Sequence, residues 1–158
     1  LALYQPVAVD LRFVVAVLKI NNALERIGDL AVNIVEHAPA FSGKDPVDTA
    51  ASLPKMAENA QTMLRRSLDA VVGMDPELAR SVLAADDEVN DDYHALSARA
   101  RLEIRADGSR IDELLPLMLV AKHIERIADL ATNIAEDAIY MVSGEIVRHG
   151  LHHVARED

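Results

Sequence analysis

The chain has 158 residues, which is enough for one or two small domains. Apolar residues make up 51% of it and aromatic residues only 3%, a mixture that favours helices packed through aliphatic side chains over a β-sandwich. The net charge of −10 argues against a nucleic-acid partner, since phosphate backbones require clustered lysines and arginines. The absence of cysteine excludes disulfides and thiolate metal sites, and it suits a reducing cytoplasm.

No segment of the sequence is expected to span a membrane, because Asp10, Arg12 and Lys19 interrupt the longest apolar stretch. No signal peptide is recognisable in the sequence. The chain begins with "LALYQP" and has no initiator methionine, so we interpret it as a fragment or a processed form.

Four long helices are predicted in chain order, separated by turns that contain proline or glycine. The predicted helices cover residues 6–37, 52–72, 76–105 and 109–143. Pro6 marks the start of the first helix, and Asp75 and Ser109 are expected to cap the third and the fourth. Pro116 is expected to kink the fourth helix or to mark a later start.

An internal repeat organises the chain. Nine of twelve positions are identical between residues 25–36 and 125–136, at an offset of 100 residues. The first and fourth helices are therefore equivalent elements of a duplicated unit. Two helices precede the fourth, so the unit is predicted to be a three-helix bundle. Residues 1–44 then contain the last helix of a truncated first repeat, and residues 45–158 contain the second repeat.

Each of the two equivalent helices carries two stripes at heptad-like spacing. The first stripe is apolar and is expected to pack against a neighbouring helix. It consists of Phe13, Val17, Ile20, Leu24, Ile27, Ala31 and Ile34, repeated as Leu117, Val120, Ile124, Ile127, Ala131 and Ile134. The second stripe begins apolar and turns acidic, so its acids are expected to continue a packing surface. It consists of Leu11, Val15, Leu18, Asn22, Glu25, Asp29, Asn33 and Glu36, repeated as Ile111, Leu115, Met118, Lys122, Glu125, Asp129, Asn133 and Glu136.

The acidic pairs Glu25/Asp29 and Glu125/Asp129 each place two carboxylates one helical turn apart. Such a pair destabilises an isolated helix by roughly 0.2–0.5 kcal/mol, and partial burial raises the cost. The arginine after each glutamate lies about 100° around the helix and does not cover the stripe. A bound multivalent cation neutralises both pairs in the same way. Oxygen ligands suit magnesium, manganese or iron, and suit zinc less well.

A third acidic group lies in the predicted third helix, within "AADDEVNDDYHAL". Asp86 and Asn90 have the same spacing as the acidic pairs, with Glu88, Asp91 and Asp92 beside them. Two helices that present oxygen atoms to each other can bind metal ions between them. The alternative interpretation is an acidic run exposed to solvent, where most carboxylates lie.

Four stretches of the sequence match motifs of a known family. They are "YQPVAVDLRFVVAVLKI" (4–20), "ERIGDLAVNI", "ERIADLATNIAE" and "MVSGEIVRH" (141–149). On these residues the sequence resembles the PhoU family of bacterial phosphate-signalling regulators, over nearly the whole chain. The resemblance implies an all-α fold of PhoU-like tandem three-helix bundles. Four long helices are present here, and the first two helices of the first bundle are lacking.

The resemblance also implies divalent or trivalent metal ions as cofactors on acidic patches, with iron, manganese, magnesium and zinc as candidates. The family motif on the third helix is Asp-x-x-x-Asp, and Asn90 departs from it with a weaker, uncharged ligand. The truncation removes acids that the missing helices would supply to the first site. The metal ligands implied by correspondence are Glu25, Asp29, Asp86, Asn90, Glu125 and Asp129.

The function implied by the resemblance is regulatory. A metal-binding adaptor of phosphate homeostasis would negatively regulate phosphate uptake and phosphate-starvation signalling, by linking the ATPase of a phosphate ABC transporter to a sensor histidine kinase. It would be cytoplasmic, peripheral at the inner face of the cell membrane, and a homodimer. In this chain the apolar stripe from Phe13 to Ile34 lacks the helices expected beside it, so we expect it to be buried against a second copy.

No catalytic role is expected, because the sequence contains no nucleophile–base constellation and no glycine-rich phosphate loop. Two alternatives remain open. One is a helical protein–protein adaptor whose acids recognise a basic partner without metal. The other is a di-iron carboxylate oxidase, which requires Glu-x-x-His pairs on two helices; the stretch 91–94 matches that pattern only in part. His37 and His123 lie off the acidic stripe by helical angle.

Overall fold

The computed structural model of the protein describes residues 8–41, 48–144 and 146–147, and within these residues the fold is all-α. Four long helices are confirmed, as is the predicted fold class. They are α1 (Ala8–His37), α2 (Leu53–Gly73), α3 (Pro76–Ala106) and α4 (Ile111–Ser143), with short 3-10 helices at Ala38–Phe41, Asp48–Ser52 and Gly108–Arg110. The predicted start at Pro6 and the division of the chain at residue 44 lie outside the described residues. None of the helices in the described part has the length and apolarity that a membrane crossing requires.

The connection between α2 and α3 consists of two residues, Met74 and Asp75. Met74 adopts a left-handed conformation with φ of 51° and ends α2. The Asp75 carboxylate accepts hydrogen bonds from the backbone N–H groups of Glu77 and Leu78, both at 3.0 Å. The predicted cap is therefore confirmed. A connection this short makes α2 and α3 adjacent antiparallel helices.

The start of α4 differs from the prediction. Its N-cap is Arg110, which makes no side-chain cap, and Ser109 lies in the preceding 3-10 helix. There the Asp107 carboxylate accepts hydrogen bonds from the Ser109 N–H at 3.0 Å and from its hydroxyl at 2.6 Å. Asp107 caps this 3-10 helix, and the prediction that Ser109 caps α4 is wrong, because α4 begins two residues later. Pro116 lies inside α4, so the suggestion that the helix begins later, at this proline, is also wrong.

The helix α4 is at the centre of the packing and contacts α1, α2 and α3. Together with α2 and α3 it forms a three-helix unit, whose core includes Met56, Val82, Val89, Leu114 and Leu117. Its small residues bring the helices close together, since a buried alanine occupies little space between two helix axes. Five alanines of α4 are buried at 2% exposure or less: Ala121, Ala128, Ala131, Ala135 and Ala138.

The helix α1 packs on another face of α4 through a second cluster. Its buried residues are Ala16, Ile20, Ala23 and Ile27 of α1 and Leu130, Ile134 and Met141 of α4. Two contacts fix the register of the pair. Lys19 Nζ lies 2.8 Å from an Asp137 carboxylate oxygen. Gly144 ends α4 with φ of 73°, and the guanidinium of Arg12 packs so close that a Cβ at Gly144 would lie 3.3 Å from it.

The apolar stripe predicted for α4 is confirmed, since all its residues are buried except the half-buried Ile127. For the equivalent stripe of α1, the prediction of burial is only half correct. Ile20 and Ile27 are buried, but Phe13 and Leu24 are 50% and 39% exposed. The acidic stripe of α1 lies on an exposed face, and its apolar beginning is 40–62% exposed at Leu11, Val15 and Leu18. Within the described residues α1 rests mainly on one helix, so only one narrow face is buried.

Candidate metal centre and adjoining cleft

The acidic pair of α4 lies at the boundary between core and solvent. Glu125 follows the buried Ile124 and is itself only 8% exposed. One carboxylate oxygen, Oε1, accepts a hydrogen bond from Lys122 Nζ at 2.7 Å. The other, Oε2, is buried and has no hydrogen-bond partner among the described residues. A buried carboxylate oxygen without a donor is costly, so this atom is a candidate ligand for a cation.

Asp129 lies one turn after Glu125 and is half-buried. Burial, together with the negative charges of Glu125 and Asp86, raises the pKa of Asp129 from 3.8 to about 6. The effect of Asp86 indicates that a carboxylate of α3 lies close to the pair on α4. Three carboxylates therefore share one partly desolvated region, and their mutual repulsion favours binding of a positive charge there.

On α3 the acidic run is divided between two neighbouring helices. Asp86 is 4% exposed, and one of its oxygens accepts a hydrogen bond from Asn90 Nδ2 at 2.7 Å. Glu88 and Asp92 are directed to α2 instead, where Lys55 Nζ lies 2.6 Å and 3.9 Å from their carboxylates. The run is therefore not a uniformly solvated face. Only its first acid belongs to the group that includes Glu125 and Asp129.

The acidic pair of α1 has a different environment, although its sequence is almost the same. Glu25 and Asp29 are exposed, and the residue that corresponds to Lys122 is Asn22. The described residues contain no ion pair or hydrogen bond for either acid. The prediction that Glu25 and Asp29 bind metal therefore stays a prediction, and the electrostatic argument for a cation is stronger on α4.

The donor set at α3 and α4 suits a hard cation. It consists of the carboxylates of Asp86, Glu125 and Asp129 with the amide oxygen of Asn90, and such oxygen ligands match magnesium, manganese or ferric iron. In the described part of the chain, no three His, Asp or Glu side chains stand in a preformed ligand arrangement. A metal ion would thus require side-chain rotation, which the half-buried position of Asp129 permits.

A cleft of about 420 Å³ adjoins the acids, between α1 and α4. Three pairs of residues line it, and each pair consists of equivalent positions in the two repeats. The lining residues are Arg26 and Arg126, Asp29 and Asp129, Leu30 and Leu130, and also Asn133. The sequence analysis set the two arginines aside because they lie off the acidic stripe. Their equivalent positions in the two repeats were the signal, since equivalent faces of two packed helices can line one cleft.

Two histidines meet at the same interface. The His37 and His123 rings are stacked, with centroids 5.8 Å apart and an angle of 14° between their planes. Burial lowers the pKa of His123, and the nearby His37 and Arg126 lower it further. The His123 Nδ1 atom is buried with no hydrogen-bond partner among the described residues. The stacked rings act here as packing groups between α1 and α4.

Comparison with known proteins gives the same family for both repeats. The family model described as "PhoU domain" matches residues 1–38 and 53–138. A phosphate-specific transport system accessory protein PhoU homolog from Caulobacter vibrioides is 40% identical over 146 residues, which are 92% of this chain and 64% of that protein. A homolog of the same name from Aquifex aeolicus is 40% identical over 149 residues, 94% of this chain and 67% of that protein.

A solved structure agrees with the sequence comparison. The crystal structure of PhoU from Pseudomonas aeruginosa superposes with a TM-score of 0.84 at 32% identity, covering 89% of this chain and 68% of that one. The chain spans less than two thirds of the length of the Caulobacter relative. Both the family model and the relatives extend over the acidic helices α1 and α4. The chain therefore belongs to the PhoU domain family.

Proposed function

We propose that this chain is part of a regulatory accessory protein of phosphate transport, and that it binds a hard metal ion between α3 and α4. The relatives at 40% identity are named as accessory proteins of a phosphate-specific transport system, which supports the regulatory part. The observation that supports the metal part is the buried, unpartnered Oε2 of Glu125 beside Asp129 and Asp86. No catalytic step is proposed for the site.

The proposed ligands are Asp86, Asn90, Glu125 and Asp129. The chemistry that a metal ion would supply is neutralisation of three carboxylates that otherwise repel one another. The chain's own residues would hold it from two helices. Asp86 and Asn90 belong to α3, and the other two belong to α4, so bound metal would tie these helices together. A protein that is more rigid with metal than without it can present a different surface to a partner.

Magnesium, manganese and iron are the proposed ions, because the ligands are oxygen atoms and cysteine is absent. Zinc is less suited, since its sites usually include nitrogen or sulfur ligands and the proposed ligands are all oxygen atoms. Glu25 and Asp29 are proposed as a weaker site, because both lie in water on α1. A carboxylate in water loses less free energy without a cation than a buried one does.

The repeat supplies a matched pair of variants for the test. Metal content and calorimetric binding of Mn²⁺ and Mg²⁺ would be measured for the Glu125→Gln/Asp129→Asn variant and for Glu25→Gln/Asp29→Asn. We expect the α4 variant to lose stoichiometric metal and the α1 variant to keep most of it. At a metal concentration a hundred times Kd, the unmodified protein should gain about 2.7 kcal/mol in free energy of unfolding.

The alternative without metal remains as a second candidate, supported by the absence of a preformed ligand arrangement in the described residues. In that case the acids would contact a basic surface of a partner. Equal and negligible metal binding in both variants would favour this adaptor and end the metal proposal. Circular dichroism of both variants separates loss of metal from loss of fold.

The proposed partners are those that the family resemblance implies. They are the ATPase of a phosphate ABC transporter and a sensor histidine kinase, at the cytoplasmic face of the membrane. Negative regulation of phosphate uptake would follow if this protein links the two. The experiment is phosphate uptake and kinase output in cells whose full-length protein carries Glu125→Gln/Asp129→Asn. We expect uptake to stay high when phosphate is abundant, and normal repression would contradict a regulatory role for the site.

A further inference from the structure

We propose that the cleft between α1 and α4 binds a protonated tetrahedral oxyanion, inorganic phosphate, through the guanidinium groups of Arg26 and Arg126. The inference goes beyond the proposed metal site, with which it shares only Asp29 and Asp129. It depends on the arginines and on the shape of the cleft, so it holds or fails in protein that has been stripped of metal.

The first observation is that both guanidinium groups are available. Arg26 and Arg126 are exposed residues that line the same cleft. Within the described residues neither of them makes an ion pair or a hydrogen bond. Each arginine has an aspartate three residues later, at Asp29 and Asp129, a spacing at which helical ion pairs commonly form. Neither pair forms, although many other charged residues of the chain are paired. The hydrogen-bond donors of Arg26 and Arg126 are therefore free for a ligand.

The second observation is the internal symmetry of the cleft. The sequence Arg-Ile-x-Asp-Leu occurs at 26–30 and at 126–130. The arginine, aspartate and leucine of both copies line one cavity. Packing of α1 on α4 thus brings together two identical sets of donors and acceptors from separate repeats. A ligand in this cleft would be held from two sides, and it would contact both repeats at once.

The volume and lining fit a small, hydrated and polar ligand. A volume of about 420 Å³ corresponds to roughly fourteen water molecules at about 30 Å³ each. Its charged and amide groups outnumber its two leucines, so an apolar ligand would leave them without partners. Guanidinium groups present paired N–H donors that match the spacing of two oxygens on a phosphate, and this favours a tetrahedral oxyanion.

The two aspartates determine which oxyanion fits. Carboxylates repel an anion that has only acceptors, such as sulfate. Inorganic phosphate keeps at least one proton at neutral pH, so its hydroxyl can donate a hydrogen bond to Asp29 or Asp129 while its other oxygens accept from the arginines. A phosphomonoester loses its last proton with a pKa near about 6 and has no such donor at neutral pH. The cleft therefore selects free phosphate over sulfate and over a phosphomonoester.

The test is an NMR titration of the metal-stripped chain in chelator at pH 7, following the Arg Nε–Hε resonances. Inorganic phosphate should shift the resonances of Arg26 and Arg126. Arg26→Gln and Arg126→Gln should each weaken binding about tenfold or more, as expected for loss of a charged hydrogen bond. Arg65→Gln, a change to an exposed arginine of α2 outside the cleft, is the matched control and should bind phosphate unchanged.

Three further arms complete the experiment. Sulfate and glycerol 3-phosphate should bind about tenfold or more weakly than phosphate, and Asp129→Asn should reduce that preference. An absence of shifts up to tens of millimolar phosphate would overturn the inference, as would equal losses in the Arg65→Gln control. Equal binding of sulfate or of the phosphomonoester would overturn the assignment to free phosphate. A null result here leaves the metal content of the protein unaffected, so the two proposals fail separately.

Discussion

Lys122 Nζ donates a hydrogen bond to Glu125 Oε1 at 2.7 Å, and the same ammonium group lies 4.8 Å from the centroid of the Tyr93 ring. A lysine of α4 is thus held between a carboxylate of its own helix and an aromatic face of α3. It compensates one oxygen of Glu125 and leaves the other buried without a donor. In the first repeat this lysine is replaced by Asn22, and there the glutamate is exposed. Burial of the acid and the presence of the cation go together.

The first prediction concerns this lysine. Lys122→Met keeps most of the side-chain length but removes the charge, so it should destabilise the metal-free protein by about 1 kcal/mol, because the lysine is partly exposed. Metal affinity should rise, because an ammonium group no longer competes for Glu125 Oε1. Urea unfolding with and without Mn²⁺ measures both effects. Lys55→Met, which removes an exposed cation between α2 and α3, is the control. Weaker metal binding in Lys122→Met alone would contradict the competition argument.

The second prediction is a dependence of stability on pH in the metal-free protein. Burial and nearby carboxylates raise the pKa of Asp129 to about 6, while in the unfolded chain it ionises near 3.8. Between these values the folded protein keeps a proton that the unfolded chain has released. The stabilising contribution is therefore complete below about pH 3.8, declines as the pH rises, and is lost above about pH 6.

Unfolding in chelator at pH 4.5 and at pH 7.5 tests this sign. Asp129→Asn cannot lose a proton, so its stability relative to the unmodified protein should improve from the lower pH to the higher one. Asp29→Asn, the exposed equivalent on α1, is the matched control and should show little change. Saturating Mn²⁺ should remove most of the difference, since bound cation compensates the ionised carboxylate. Parallel curves for the unmodified protein and Asp129→Asn would refute the prediction.

Helix positions could be predicted from the sequence because their signals are local. Proline, glycine and capping residues mark the ends of helices, and the repeat establishes that α1 and α4 are equivalent. The local argument failed at the start of α4, where Asp107 caps a short 3-10 helix and Ser109 lies inside it. Sequence spacing alone did not show that a 3-10 helix precedes α4.

Burial could not be predicted in the same way, because it depends on neighbours that are not written into the helix itself. Leu24 is 39% exposed and its equivalent Ile124 only 5%, although they occupy the same position of the repeat. The difference arises because α4 is surrounded by three helices, whereas α1 rests mainly on one. The same reason separates Glu25 from Glu125. The cleft that contains Arg26 was missed because it forms between two helices. Each stripe in the sequence describes one face of a single helix and does not show which faces pack together.

The third prediction concerns the small residues of α4. Ala128 is fully buried in the core cluster that joins α4 to α2 and α3. Leucine there adds three carbon atoms to a close helix contact, and such overpacking costs about 1–3 kcal/mol. Ala84→Leu on the exposed face of α3 is the control and should change stability by less than about 0.5 kcal/mol. Chemical denaturation of both variants gives the comparison, and equal midpoints would mean that the helices are not closely packed at Ala128.

The fourth prediction separates the confirmed cap from the corrected one. Asp75 accepts two backbone N–H groups at the start of α3, so Asp75→Ala should cost about 1 kcal/mol. Ser109→Ala removes a hydroxyl donor to Asp107 but no cap, and it should cost only a few tenths of that amount. Thermal unfolding measures the two. If Ser109→Ala proved as costly as Asp75→Ala, the serine would cap α4 after all.

The last prediction concerns the exposed apolar face of α1 and the homodimer expected from the resemblance. The sequence analysis assigned self-association to the stripe from Phe13 to Ile34, but Ile20 and Ile27 of that stripe are buried against α4. The exposed residues Leu11 and Leu18 lie two turns apart on the neighbouring stripe, at 45% and 62% exposure. An apolar face of this kind favours association.

We therefore expect the 158-residue chain to self-associate at micromolar concentration, and Leu11→Glu/Leu18→Glu to shift it towards monomer by placing charges in the contact. Sedimentation velocity measures the change. Val72→Glu removes an isolated exposed apolar side chain of α2 and is the matched control, since a single valine is too small a surface to join two chains. A well-folded monomer of the unmodified chain would show that this face needs no partner. Equal dissociation in the control would instead attribute the effect to net charge.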